Sequence, residues 1–263
     1  MKNAGYCVLC VVFLSCGSQE EKPKGADPKN DSLSTVEAPK ISKDEAVIVE
    51  PVVDDEVVTL ENKGIKLTEI KAENSQNSSL ELRTTQFKEG ANELNYLVKG
   101  IQNYTIATIE NNYTLNYFSE NTFKKEFLYG NNVFLSFLTH RNKISVKTNK
   151  ANVLKNVVIG DMESLFNMKQ PHLFYYLPQE NTGDPILDFY LVNTSIAKNG
   201  NKVKVTINEV EFILEKWAAY RVEGVSKSVN TIRIQLIDNN GKLMEGPFND
   251  SGERTFKLIK QPV

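Results

Sequence analysis

Val203-Lys204-Val205-Thr206-Ile207, followed by Phe212 and Leu214, shows the pattern that decides the fold. Apolar residues occupy every second position. Because successive side chains of a strand point to opposite faces of its sheet, this period of two predicts half-buried β-strands. Residues 133–138 are apolar on both faces except at Ser136, as in a central strand. The period of two recurs from Ile65 onward, in residues 80–82, 94–98, 187–191, 232–236 and 256–258.

The spacing of these strands predicts the fold class. Turn-forming dipeptides lie between them, among them Asn199-Gly200 and Asn240-Gly241, which tolerate the positive φ of tight hairpins. Short strands about 8–12 residues apart, with turns between them, are typical of β-sandwiches. We therefore expect an all-β fold of two tandem Ig-like β-sandwich domains, over 63–160 and 168–263. A single larger sandwich is the alternative.

The N-terminus resembles a bacterial lipoprotein signal. Residues 7–14 form an apolar run after Lys2, far shorter than the ~20 residues of a membrane-spanning helix. Leu14-Ser15-Cys16 then fits a lipobox. This resemblance predicts a signal peptide over 1–15, lipidation of Cys16 and attachment to the outer membrane through that lipid. The alternative is a short buried strand that contains a Cys.

The cysteine positions limit the chemistry of the mature protein. Cys7 and Cys10 lie in the segment predicted to be removed, and Cys16 is predicted to be acylated. We therefore expect no disulfide, no thiolate nucleophile and no Cys-ligated metal.

Residues 16–62 have the composition of a lipidated, disordered acidic tether. Residues 17–62 hold twelve Asp plus Glu against five Lys, a charge of −7, and no Phe, Tyr or Trp. Without aromatic residues the segment buries too little area to offset its ordering entropy. The whole chain carries a net charge of only −2, which does not indicate a nucleic-acid partner.

The residues after Cys16 resemble a surface-export signal. Ser18-Gln19-Glu20-Glu21-Lys22 is similar to the acidic segment that marks Bacteroidetes lipoproteins for the outside of the outer membrane. We therefore expect the protein to face the cell surface, and the periplasmic face is the alternative.

The second block carries motifs that resemble a family of uncharacterised Bacteroidetes lipoproteins. The motifs are Pro171-His172-Leu173-Phe174-Tyr175, Asp188-Phe189-Tyr190-Leu191-Val192-Asn193, Asn230-Thr231-Ile232-Arg233 and Gly246-Pro247-Phe248-Asn249. Members of this family are anchored by a lipobox and built of tandem Ig-like β-sandwich domains, and the resemblance is clearest over 171–259. In the first block, Phe137-Leu138-Thr139-His140-Arg141 loosely resembles the family's Ser/Arg/His-rich motif. The resemblance implies an anchored, all-β envelope protein.

Three residues are candidates for ligand contact. His140 and Arg141, near Lys143, form a basic cluster that would attract an anion or a glycan, although a solvated loop is the alternative. Trp217 would offer a sugar platform or lie in the sandwich core. His172, between Pro171 and Leu173, is expected to pack at the start of a strand. The histidines are too few for a metal site, and we predict neither a metal nor a cofactor.

No catalytic residue is predicted. The sequence contains no Gly-x-Ser-x-Gly, His-Glu-x-x-His, phosphate-loop or dinucleotide-binding pattern. Asp184 and Asp188, four positions apart on a predicted strand, would lie ~13 Å apart along it, too far for a glycosidase pair. Asp238-Asn239-Asn240-Gly241 is expected to form a hairpin turn rather than a calcium loop.

The sequence therefore predicts a non-catalytic, lipid-anchored cell-envelope protein. Its expected role is a surface-displayed binding module for an unidentified protein or glycan. One alternative is a periplasm-facing structural accessory of an envelope complex. Another is a hydrolase, which would lose activity on single carboxylate substitutions without losing its fold.

Overall fold

The alternating segments of the sequence form the strands of a layered all-β structure. The computed structural model describes residues 56–71, 73, 75–225 and 228–259. The predicted signal peptide, Cys16 and the tether as far as residue 55 lie outside these ranges. The described residues form 17 strands and no helix: β1 (Thr59–Asn62), β2 (Ile65–Ile70), β3 (Ser79–Leu82), β4 (Gly90–Lys99), β5 (Tyr104–Glu110), β6 (Thr114–Phe118), β7 (Thr122–Phe127), β8 (Gly130–His140), β9 (Asn152–Ile159), β10 (His172–Leu177), β11 (Asn181–Thr182), β12 (Ile186–Val192), β13 (Lys202–Ile207), β14 (Val210–Leu214), β15 (Ala219–Glu223), β16 (Val229–Ile237) and β17 (Arg254–Leu258).

Strands β3 to β9 form the first sandwich. Its outer sheet has the order β3-β4-β7, and its inner sheet has the order β6-β5-β8-β9. The apolar faces of the two sheets meet in one core, which includes Leu94, Tyr96 and Phe127 from the outer sheet and Ile106, Phe134 and Leu138 from the inner sheet.

Strands β10 to β17, together with β1 and β2, form the second sandwich. Its inner sheet has the order β1-β2-β15-β12-β10, and its outer sheet has the order β11-β17-β16-β13-β14. The core between them includes Leu67, Phe189 and Tyr220 from the inner sheet and Val205, Ile234 and Phe256 from the outer sheet. The prediction of an all-β fold made of Ig-like β-sandwiches is confirmed.

The two inner sheets also pack on each other. Their strands carry apolar side chains on both faces, and a third buried cluster joins Ala107, Ile109, Leu135 and Phe137 to Phe174, Tyr176, Tyr190 and Val192. The Phe137 ring lies 4.9 Å from the ring centroids of both Tyr176 and Tyr190. The described residues therefore stack as four sheets with three apolar layers between them.

The N-terminal boundary of the folded part differs from the predicted one. Residues 59–62 form β1 rather than the end of a disordered tether, and 65–70 form β2. Strand β2 pairs with β15, from Ile70 opposite Ala219 to Lys66 opposite Glu223. Segment 59–70 thus belongs to the second sandwich, not to the first domain, because Ile65 and Leu67 fill the second core.

The predicted turns have mixed outcomes. Asn240-Gly241 forms a tight turn, in which the Asp238 carboxylate accepts hydrogen bonds from the amides of Asn240 and Lys242. Asn199-Gly200 also lies in a turn, closed by the Gly200 amide donating to the Ala197 carbonyl at 3.0 Å, but this turn is part of a crossover between β12 and β13, which belong to different sheets, and not of a hairpin. The hairpin β13–β14 turns at Asn208-Glu209, whose φ angles are 46° and 69°.

Candidate functional site

His140 is the last residue of strand β8 and Arg141 follows it, but only Arg141 is open to solvent. The His140 side chain is buried, and its Nδ1 lies 3.4 Å from the Glu73 carboxylate. Its Nε2 has no hydrogen-bond partner among the described residues. The exposed Arg141 guanidinium donates a hydrogen bond of 2.8 Å to the Asn103 side chain. The predicted basic cluster is therefore divided between the interior and the surface.

Trp217 follows β14 and is half-buried against two apolar clusters. Its Nε1–H donates to the carbonyl of Phe189 at 3.1 Å, and its ring meets Tyr190 edge to face at 5.1 Å. These packing contacts limit access of a ligand to the Trp217 ring. The core alternative therefore describes this residue better than the sugar platform.

A buried ion pair joins the two sandwiches beside Trp217. The Asp188 carboxylate on β12 is fully buried and pairs with the Lys147 ammonium, which follows β8 in the first sandwich. It also accepts hydrogen bonds from the Ser145 amide at 2.9 Å, the Phe189 amide at 2.9 Å and the Tyr176 hydroxyl. The Lys147 ammonium donates in addition to the Phe189 carbonyl at 2.7 Å.

The electrostatics of this pair favour a structural role. Burial lowers the pKa of Lys147, and the neighbouring Asp188 carboxylate opposes that shift. Burial, and then the charge of Asp188, raises the pKa of Tyr176, so its phenol stays protonated and donates. The carboxylate is occupied by donors and faces no open cleft. Asp184, the other carboxylate considered for a glycosidase pair, forms a surface ion pair with Arg221.

A concave surface lies where the two sandwiches meet. This junction groove has a volume of about 520 Å³. Three segments that are distant in the sequence line the groove. They are the β5–β6 hairpin around its turn, the end of β10 with the chain after it, and the start of β17 with the residues before it. The lining residues are Ile109, Asn112, Tyr113, Leu115, Tyr175, Tyr176, Pro178, Gln179, Glu180, Ser251, Glu253, Arg254 and Thr255. Tyr175 belongs to the motif 171–175, but no local pattern shows that these three segments, which are distant in the sequence, meet in one groove.

Tyr113 and Arg254 are the prominent side chains of the junction groove. Tyr113 is 77% exposed, and the Arg254 guanidinium carbon lies 5.0 Å from its ring centroid. Arg254 is held in place by hydrogen bonds of 3.0 Å to the Ser251 carbonyl and 3.1 Å to the Asn112 carbonyl. Burial raises the pKa of the neighbouring Tyr175, whose hydroxyl donates to the Pro178 carbonyl.

Two carboxylates complete the junction groove. Glu180 and Glu253 are exposed, and their side chains form no hydrogen bond or ion pair within the described ranges. Glu253 also lines a smaller groove of about 220 Å³ on the outer sheet of the second sandwich. There Arg233 pairs with Asp250, and that hydrogen-bonded contact lowers the pKa of the Asp250 carboxyl.

The comparisons with known proteins leave the family open. No family model and no curated protein matches the chain. Among solved structures, the fibronectin(III)-like modules of CbhA from Clostridium thermocellum are 8% identical, with a TM-score of 0.25 over 69% of this chain and 94% of that one. SGBP-B of the Bacteroides ovatus mixed-linkage glucan utilization locus, in complex with a mixed-linkage heptasaccharide, is 10% identical, with a TM-score of 0.22 over 76% of this chain and 71% of that one.

A third similar structure contains the two tandem V-type regions of a v-region-containing chitin binding protein. It is 10% identical, with a TM-score of 0.20 over 69% of this chain and 98% of that one. At these TM-scores the similarity is too low to bear on the ligand of this chain.

The described residues contain neither a metal-binding cluster nor a membrane-spanning helix. No three His, Cys, Asp or Glu side chains within those ranges converge as metal ligands would. The same part of the chain contains no helix with the length and hydropathy needed to span a bilayer.

Proposed function

We propose that this chain is a non-catalytic, lipid-anchored protein of the cell envelope, and that its junction groove binds a protein or glycan. The observation that carries the proposal is the exposed Tyr113 ring beside Arg254 in a concave surface of about 520 Å³. Binding sites are typically clefts of roughly 300–1,000 Å³ that combine aromatic surface with a few convergent polar groups.

The junction groove is a better candidate than the residues singled out in the sequence. His140 is buried, Trp217 is half-buried in packing contacts, and the exposed Arg141 is hydrogen-bonded to Asn103. Tyr113, Glu180 and Glu253 are exposed and converge from both sandwiches. Because the two inner sheets pack through a continuous apolar layer, the groove walls are held in a fixed relation, which reduces the entropy lost on binding.

The decisive experiment measures binding by the intact protein and by Tyr113→Ala. The ligands tested are an array of bacterial and host glycans and a set of purified envelope and extracellular matrix proteins. Tyr129→Ala is the matched control, because Tyr129 is 62% exposed and does not line the groove. Loss of binding in Tyr113→Ala alone supports the groove, whereas equal binding by both variants contradicts it. Release of cleaved product from a bound glycan would favour the hydrolase.

The lipid anchor and the outward orientation are separate parts of the proposal. They are supported by Leu14-Ser15-Cys16 and by the acidic residues after Cys16. Cys16→Ala should abolish acylation and membrane retention, and unchanged retention would refute the anchor.

Protease treatment of intact cells tests the orientation. Digestion of residues 63–263 while a periplasmic control survives supports surface display. Protection of those residues favours the periplasm-facing accessory, whose partners crosslinking would then identify.

A further inference from the structure

The ligand class can be narrowed from the groups that line the junction groove, an inference that rests on the proposed binding function. We infer that the groove takes a neutral oligosaccharide, whose sugar ring stacks on Tyr113 and whose hydroxyls are bound by Gln179, Glu180, Glu253 and Arg254.

Tyr113 provides the apolar part of such a site. It follows Asn111 and Asn112, whose φ angles are 48° and 56°, in a tight turn closed by the Tyr113 amide donating to the Glu110 carbonyl at 2.9 Å. Its ring is 77% exposed, although Arg254 lies over it. The face of an aromatic ring is electronegative and attracts the weakly positive C–H groups on one side of a pyranose. An aromatic ring together with convergent polar groups in a concave surface is typical of a ligand site.

The polar groups around Tyr113 supply both donors and acceptors. The Arg254 guanidinium donates from Nε and Nη2 to backbone carbonyls. Its Nη1 hydrogens have no hydrogen-bond partner among the described residues and are available to a ligand. The carboxylates of Glu180 and Glu253 accept only. A carboxylate presents two acceptor oxygens and a guanidinium presents several N–H donors. Because a sugar hydroxyl both donates and accepts, it can bind to either group.

The charges of the groove argue against a strongly charged ligand. The groove is lined by one guanidinium and two carboxylates, so an anionic ligand would meet Glu180 and Glu253. A cationic ligand would meet Arg254, which already lies over the rings of Tyr113 and Tyr175. A purely apolar ligand would desolvate all three ionised groups without replacing their hydrogen bonds, which is costly. A neutral polyhydroxy ligand satisfies donors and acceptors alike.

The test is calorimetric titration of the intact protein with linear hexasaccharides of one length. The neutral probes are β-1,3-glucose, β-1,4-glucose and β-1,4-mannose oligomers, and the charged probes are hexagalacturonate and the glucosamine hexamer. We expect at least one neutral probe to bind. Tyr113→Ala should weaken its binding about tenfold or more, equivalent to ~1.4 kcal/mol, and Tyr113→Phe, which keeps the ring, should weaken it less. Tyr129→Ala, outside the groove, should retain it.

Two further measurements address the charge of the ligand. Glu180→Gln removes one negative charge but keeps an acceptor, so it should weaken the binding of a cationic probe more than that of a neutral one. Affinity for a neutral probe should also stay constant between about 0.05 and 0.5 M salt, because no charge pair is screened. Melting curves of each variant establish that it is folded.

The outcomes separate this inference from the proposed function. Binding of hexagalacturonate or the glucosamine hexamer alone, lost in Tyr113→Ala, would overturn the neutral ligand and leave the groove as a binding site. Binding of a protein alone, with the same dependence on Tyr113, would overturn the glycan. If no probe binds and Tyr113→Ala changes the binding of no partner, both proposals fail.

Discussion

Asp184 and Asp188 lie four positions apart in the sequence and have opposite surroundings. The Asp184 side chain is 46% exposed and pairs with the equally exposed Arg221. Asp188 is fully buried and surrounded by donors from both sandwiches. The sequence places the two carboxylates near one another along the chain, but it contains no sign of which one lies at an interface, because the partner Lys147 is distant in sequence. The difference predicts very different mutational costs.

Asp188→Asn should lower the free energy of unfolding by about 3–5 kcal/mol, because Lys147 is left as an uncompensated buried cation. Lys147→Met should cost a similar amount by leaving the carboxylate unpaired. The control is Asp184→Asn, which should cost less than about 1 kcal/mol because exposed ion pairs contribute little. Urea unfolding monitored by circular dichroism measures each value. Similar costs at the two aspartates would refute the assigned role of Asp188.

His172 should make stability depend on pH. Its side chain is fully buried, stacks on Phe166 at 4.5 Å and hydrogen-bonds through Nε2 to the Asn167 carbonyl at 2.8 Å. Burial lowers its pKa below the ordinary 6.5, and the bond to Asn167 partly opposes this. The unfolded chain therefore takes up a proton first as pH falls. The contribution of neutral His172 is complete above the ordinary pKa and is lost below it.

The check compares urea midpoints of the wild type and His172→Phe across mildly acidic to neutral pH. The wild type should lose stability as the pH falls below 6.5, the ordinary value. His172→Phe keeps an aromatic ring against Phe166 but cannot titrate, so its midpoint should vary less over that interval. An unchanged slope would show that other groups govern the pH dependence.

At the scale of elements, the sequence predicts the strands better than their partners. The period of two marks Ile65 and Leu67 as residues of one strand, and β2 is that strand. Which sheet it joins depends on the open edge of β15, more than 140 residues later, where Val222 lies opposite Leu67. Local patterns contain no information on such a distant pairing, so the sequence alone predicts a first domain that begins at residue 63.

Strands β1 and β2 should be required for the second sandwich to fold. Fragment 168–263 lacks them, so it exposes Tyr220 and Val222 and leaves β15 as a free edge that invites aggregation. We expect this fragment to be unfolded or aggregated. Fragment 56–263, which retains both strands, should be folded and monodisperse. Circular dichroism and size-exclusion chromatography distinguish them, and a stable, monomeric 168–263 would contradict the sheet assignment.

The β13–β14 turn offers a gain in stability. Glu209 has a φ of 69°, which lies in the left-handed region. This conformation is energetically unfavourable for a residue with a Cβ but not for glycine. Glu209→Gly should therefore raise the free energy of unfolding by roughly 0.5–1 kcal/mol. Glu211→Gly, in the neighbouring extended strand, should lower it, because glycine weakens strand interiors. Chemical denaturation of both variants is the measurement, and a loss of stability in Glu209→Gly would refute the argument.

At the scale of the whole molecule, burial on both faces is the feature that joins the sandwiches. The run 133–138, apolar on both faces, indicates a central strand, and β8 lies between the core of the first sandwich and the layer formed with Tyr176 and Tyr190. The sequence thus predicts that both faces of such a strand are buried, but it does not predict which elements bury them. The junction groove follows from this stacking, since its walls come from turns and strand ends of both sandwiches.

The packed inner sheets should make the described part unfold in one cooperative step. Trp217, the single tryptophan, contacts the shared layer, so its fluorescence reports on the junction while circular dichroism reports on all strands. In the wild type the two transitions should coincide.

Phe137→Ala removes a ring that contacts Tyr176 and Tyr190. It should lower the free energy of unfolding by about 3–5 kcal/mol. It should also separate the two transitions, with the fluorescence changing first. Phe256→Ala, equally buried but in the core of the second sandwich alone, should lower stability without separating them. Two separate transitions in the wild type would mean that the sandwiches fold independently.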